Sequence, residues 1–119
     1  MTTDPADVAA LLPLPPATFH ILIALTGEPR HGYAIIQDIE ARTDGELRLS
    51  AGTLYRSIAR MVEQGLISEV GRRRTIADDE RRRYYRITPF GTAVARAEMR
   101  RLTQLVRLAR ATGLTPETA

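Results

Sequence analysis

The chain has 119 residues, 44% hydrophobic and 26% charged, enough apolar material for one core and too much for wholesale disorder. It contains no Cys and only two His, at 20 and 31, which excludes a disulfide framework, a thiolate metal site and a cysteine nucleophile, and leaves little for a catalytic cluster. All 17 basic residues are Arg. Residues 1–49 hold 3 Arg against 7 acids, residues 50–88 hold 9 against 5, and residues 89–119 hold 5 against 2. An Arg-only, Ala-rich composition can simply reflect a GC-rich genome. The concentration of positive charge in the middle third suggests a polyanion footprint. No apolar run reaches the roughly 20 residues that cross a bilayer, and the start, MTTDPADVAA, lacks the basic head and apolar centre of a signal peptide. A cytoplasmic protein with no membrane partner is therefore expected.

Residues 1–15 are polar and then punctuated by Pro13, Pro15 and Pro16, and read as a flexible arm with a turn of helix at Ala6–Leu12. Ala17–Thr26 is apolar enough for a buried helix stopped by Gly27. Pro29 and Gly32 mark a turn. Tyr33–Thr43 spaces Ile35, Ile36 and Ile39 as a helix, and Leu47-Arg48-Leu49 alternates like a very short strand. Ser50 is a good N-cap for a helix over 51–64, with Leu54, Ile58, Met61 and Val62 as its apolar stripe and Gly65 as its stop. Leu66–Val70 and Arg82–Thr88 read as two strands of a hairpin with a long charged tip. Thr88-Pro89 starts a last helix that runs to about Thr112, ended by Gly113.

Three helices followed by a hairpin predict a mainly α fold with a β-hairpin. This is a winged helix-turn-helix with an added C-terminal dimerisation helix. The expected division is a flexible arm at 1–15, a winged helix-turn-helix DNA-binding domain at 16–88, a dimerisation helix at 89–112 and a tail at 113–119.

On a helical wheel the 51–64 helix turns Thr53, Arg56, Ser57, Arg60 and Gln64 outward. Guanidinium forks match guanine edges or phosphate oxygens, and the hydroxyls and the amide reach either. The same face suits a plain solvated helix, but the helix-turn-helix context favours DNA. In the hairpin tip, Arg72, Arg73 and Arg74 and then Arg81 and Arg82 flank Asp78, Asp79 and Glu80. They fit a wing over backbone or minor groove, or charge compensation within the tip. Tyr85, on one face with Ile87, reads as core filler. Tyr33 opens its helix, where its hydroxyl either reaches a phosphate or packs. His20 reads as a core or interface residue and His31 as a turn residue. Carboxylates are scattered and no Gly-rich phosphate loop is present, so neither an enzyme nor a cofactor or metal is expected.

In the last helix Ala95, Met99, Leu102, Val106 and Ala109 recur at spacings of 4, 3, 4 and 3, a heptad seam widened by Leu105. A helix of this length outruns a three-helix core, so the seam points to a homodimer over packing on its own domain.

His31-Gly32-Tyr33, Ser50-Ala51-Gly52-Thr53-Leu54-Tyr55, Glu63-Gln64-Gly65-Leu66-Ile67 and Arg83-Tyr84-Tyr85-Arg86-Ile87-Thr88-Pro89-Phe90-Gly91 together resemble the PadR family of bacterial transcriptional regulators, in its smaller subgroup. The resemblance spans about residues 18–110. It implies a homodimeric winged-helix regulator, usually a repressor, on a near-palindromic operator. It further implies DNA contacts from Tyr33, Ser50, Thr53, Tyr55 and the basic wing. Arg56 stands where the family often has Pro, and the chain has no Trp for a stacked ligand pocket. The expected partners are double-stranded DNA and a second copy, with the protein on the nucleoid when bound and an effector of unknown identity left open. The alternative is a winged-helix module that binds protein, such as an antagonist of another regulator.

Overall fold

The computed structural model describes residues 4–71 and 83–117. Helix α1 (Pro5–Ala9) is capped by Asp4, whose carboxylate accepts the Ala6 N–H at 2.8 Å. Helix α2 (Pro16–Ala24) is apolar nearly all round and runs through the centre, burying Ile21, Leu22 and Ala24. Strand β1 (Arg30–His31) leads directly into α3 (Gly32–Arg42). Then come α4 (Ala51–Glu63), β2 (Ile67–Val70), β3 (Tyr84–Ile87) and the long α5 (Pro89–Ala111). The strands form an antiparallel sheet ordered β1-β3-β2, in which Arg30 faces Tyr85 and Glu69 faces Tyr85 from the other side.

The expected caps form. Ser50 accepts the Thr53 N–H at 3.1 Å at the start of α4, and Thr88 accepts the Gly91 N–H at 2.9 Å at the start of α5. Helix α4 ends in a Schellman motif: Gly65 takes φ 77°, its N–H reaches the Val62 carbonyl, and the Leu66 N–H reaches Met61. Met61 and Leu66, both fully buried, close the apolar contact that accompanies this motif. At the next corner the Thr88 hydroxyl donates to the Gly65 carbonyl, and α5 starts against that backbone. A Cβ at position 91 would collide with the Leu66 carbonyl oxygen, so only Gly91 permits the approach. This corner fixes the angle at which α5 leaves the domain.

Three expectations are corrected. Described residues 4–15 are packed, not a free arm: Val8 and Leu14 join the core and α1 lies on α5. The Leu14 N–H donates to Glu98 at 3.2 Å, so a buried polar contact ties the segment down. Leu47–Leu49 is not a strand, because the Leu47 N–H is taken locally by the Thr43 hydroxyl at 3.0 Å. The third strand is instead Arg30–His31, two residues too short to show an alternating pattern. Arg30 is fixed there by donating to the Ala24 carbonyl at 2.7 Å, satisfying the end of α2. Finally, Val62 is 42% exposed and lies outside the apolar stripe of α4, roughly 80° round the helix from Leu54.

Candidate nucleic-acid interface

Helix α4 buries Leu54, Ile58 and Met61 and therefore presents one continuous outer face. That face is centred on Gly52, Tyr55, Arg56 and Ala59, with Arg60 alongside, all exposed. Thr53, Ser57 and Gln64, expected to point fully outward, are only half-exposed. The exposed centre is turned from the expected one because the start of α2 covers that flank. Pro15, Ala17 and Thr18 face Thr53, Arg56, Ser57 and Arg60 across a polar cleft of about 190 Å³.

The tyrosines frame the start of α4. Tyr55 is 50% exposed, and its ring lies over Gly32, where any Cβ would strike the phenol. Gly32 therefore lets α3 begin close against α4. Tyr33, the next residue, is 61% exposed and does not pack into the core. Its position is held from behind by His31, whose Nδ1 accepts the Ala34 N–H at 3.2 Å and whose ring meets Tyr84 edge-on at 5.4 Å. His31 is thus the N-cap of α3, more specific than the turn residue expected.

Among the described residues, Arg30, Arg42, Arg48, Arg83 and Arg101 have carboxylate partners, whereas Arg56 and Arg60 have none. Arg56 leans only on the Thr53 hydroxyl at 3.4 Å, and Thr53 is itself bonded to Ser50 at 3.1 Å. Arg56 is therefore steadied by Thr53, and neither cation of α4 is paired with a described carboxylate. Arg72, Arg73, Arg74, Arg81 and Arg82 lie outside the described residues. At the base of the hairpin Arg83 is 3.9 Å from Glu69, and Arg86 is exposed.

On α5 the expected seam divides. Ala95 is half-buried against the core and Ala109 half-buried, while Met99, Leu102, Leu105 and Val106 stand 38–59% exposed. Leu108 and Leu114 extend the apolar surface, at 56% and 64% exposed. The last buried residue of α5 is Glu98, clamped by Arg101 through two contacts of 2.6 and 3.0 Å. That pair, and then the Leu14 N–H, hold the Glu98 carboxyl below its ordinary pKa against the opposing effect of burial.

The residues that sequence reasoning missed are Ala17 and Thr18, which wall the cleft beside Arg60. Their signal is Pro15-Pro16: a helix opened by two prolines has no side-chain cap and leaves its next N–H groups free.

The family model for the transcriptional regulator PadR-like family matches residues 21–97. A transcriptional regulator of Mycobacterium tuberculosis is 34% identical over 88 residues, which are 74% of this chain and 77% of that protein. An uncharacterised protein of Lysinibacillus sphaericus is 33% identical over 73 residues, 61% of this chain, and the match spans just under two thirds of its length, 65%. Bacillus subtilis PadR, solved in complex with operator DNA, superposes with a TM-score of 0.62 at 15% identity, over 73% of this chain and 48% of that one. That likeness establishes the shared fold.

Proposed function

This chain belongs to the PadR-like family of transcriptional regulators, and from that premise we propose that it binds double-stranded DNA as a homodimer and acts as a repressor on a near-palindromic operator. The observation that carries the reading is the outer face of α4, where Arg56 and Arg60 are exposed beside Tyr55 without a carboxylate partner among the described residues. An exposed guanidinium pair without a described carboxylate partner, on the third helix of a helix-turn-helix, suits the base edges or the phosphates of a major groove. Bacillus subtilis PadR, which shares the fold and was solved in complex with operator DNA, supports DNA as the ligand. In this reading Tyr33, Ser50, Thr53, Tyr55, Arg56, Ser57 and Arg60 contact DNA, and Arg72, Arg73, Arg74, Arg81 and Arg82 form a basic wing on phosphate.

Two copies are required because one α4 spans only a few base pairs, and half-sites sit about one DNA turn, roughly 34 Å, apart. The exposed Met99, Leu102, Leu105 and Val106, flanked by Ala95 and Ala109, supply the seam. An effector that releases DNA has its natural place in that seam, where the apolar wall would enclose a small molecule between two copies.

The test is to recover the genomic fragments that the purified protein retains and to titrate one of them at fixed salt. Arg56→Ala should weaken binding by about 1–3 kcal/mol. Replacing Arg72 and Arg73 together should flatten the dependence of log K on log salt by about 0.9 for each phosphate no longer neutralised. If Arg56→Ala and Arg60→Ala both leave affinity untouched, α4 is not the helix that meets DNA.

A further inference from the structure

We propose that the cleft between the start of α2 and the outer flank of α4 is a seat for a single phosphate group, and that it takes one backbone phosphodiester in each half-site. The inference rests on the DNA-binding reading above for its ligand, but not for its geometry.

The argument begins with Thr18. This side chain is buried to 6% residual exposure, yet it walls the cleft. Its hydroxyl makes no hydrogen bond with another described residue. Among the described residues no sealed side-chain oxygen lacks a partner, so the Thr18 hydroxyl is not sealed and opens into the cleft. A hydroxyl in that position has only solvent, or a ligand entering the cleft, to bond with.

The backbone beside it is in the same condition. Helix α2 has nine residues, Pro15 as N-cap and no side-chain cap. Pro16 has no N–H, so the free donors of the first turn are those of Ala17 and Thr18, both lining the cleft. Two donors at a helix start favour an anion through both hydrogen bonding and the helix dipole. The opposite wall adds Thr53, Arg56, Ser57 and Arg60, and no carboxylate lines the cleft. Backbone N–H groups, hydroxyls and guanidinium forks around a space of about 190 Å³ suit a tetrahedral oxyanion and offer a base edge little apolar contact. Arg56 and Arg60 are thereby assigned to phosphate. The exposed side of α4 at Gly52, Tyr55 and Ala59 is left nearest to the bases. Soluble phosphate-bearing ligands share this chemistry, and the measurements separate them from DNA.

The experiment follows the backbone amides of Ala17 and Thr18 by NMR while the full chain is titrated with a retained genomic duplex and, separately, with inorganic phosphate. Affinity, salt slope and Tm are measured for Thr18→Val and Arg60→Gln. The seat predicts that both amides move on adding duplex. It predicts that Thr18→Val weakens duplex binding about 2–10-fold while Tm is unchanged or higher, since the hydroxyl has no partner in the free protein. It predicts that Arg60→Gln lowers the salt slope by about 0.9 equally on retained and scrambled duplexes. If the duplex binds but the amides stay still and Thr18→Val binds as the parent, the seat is overturned and DNA binding stands. If no duplex binds while phosphate moves the amides, the oxyanion seat stands and its ligand is a soluble phosphate, overturning the DNA assignment. If no duplex binds and phosphate leaves the amides still, both are overturned.

Discussion

The two halves of α5 are one continuous helix with opposite surroundings. From Pro89 to Glu98 it buries Phe90, Gly91, Val94 and Glu98 against the domain. From Met99 onward no residue of it is buried, although Met99, Leu102, Leu105, Val106 and Leu108 are as apolar as anything in the first half. The sequence has a single apolar rhythm across both halves, so hydrophobicity does not decide what is core. Geometry decides: the helix is about 35 Å long, and the domain ends before the helix does. The boundary is marked chemically by Glu98, which is clamped by Arg101 and takes the Leu14 N–H from the segment before α2.

Breaking the outer half should have the largest effect on function. Leu102→Glu with Val106→Glu removes two side chains worth on the order of 1.5–3 kcal/mol each when buried between two copies. Light scattering should then report a monomer, and DNA affinity should collapse although α4 is intact. A dimer that persists and binds would show that the copies meet elsewhere.

The inner half should fail differently. Phe90→Ala, tested by urea unfolding in the monomeric background, should cost about 3–5 kcal/mol. Leu105→Ala in that background should stay within about 0.5 kcal/mol. Equal losses at the two positions would mean that the outer half packs on its own domain after all.

Much of this contrast is legible in the sequence. The caps at Ser50 and Thr88, the stop at Gly65 and the long last helix follow from local chemistry that adjacent residues spell out. What escapes it depends on distant partners. Strand β1 exists only because β3 lies beside it, and the paired His31 and Tyr84 are 53 positions apart in the chain. The packing of residues 4–15 depends on Glu98, and the rotation of the α4 face depends on Pro15 to Thr18 lying against it. Val62 misleads because it adjoins Met61 in sequence while lying on another side of the helix.

The clamp itself sharpens the boundary between the halves. The Glu98 carboxyl titrates below its ordinary value, chiefly through its hydrogen bonds from Arg101. A group whose folded pKa is depressed adds stability that is present above its unfolded pKa, about 4.3, and lost as pH falls through the folded value. Glu98→Gln should therefore cost about 1.5–3 kcal/mol at neutral pH, the worth of a hydrogen bond to a charged group. It should also reduce the acid sensitivity of the melting curve below about pH 4. A variant that keeps the parent's full acid dependence would place that dependence on other carboxylates.

The smallest effect expected separates exposed polar groups that serve binding from those that serve the fold. Tyr33 sits at the mouth of α3 next to Tyr55, 61% exposed, with its phenol outside the core. A hydroxyl that the fold does not use can be removed without structural cost, so Tyr33→Phe should leave stability within the range of a neutral surface change, about 0.5 kcal/mol. If the phenol donates to a DNA phosphate at the N-terminal edge of the reading helix pair, the same change should weaken duplex binding by about 0.5–1.5 kcal/mol, a loss of up to about tenfold. The loss should be equal on retained and scrambled duplexes, because phosphate carries no sequence. A loss confined to the retained duplex would move Tyr33 from the backbone to a base edge, and no loss on either would leave α4 and the wing to hold the DNA without it.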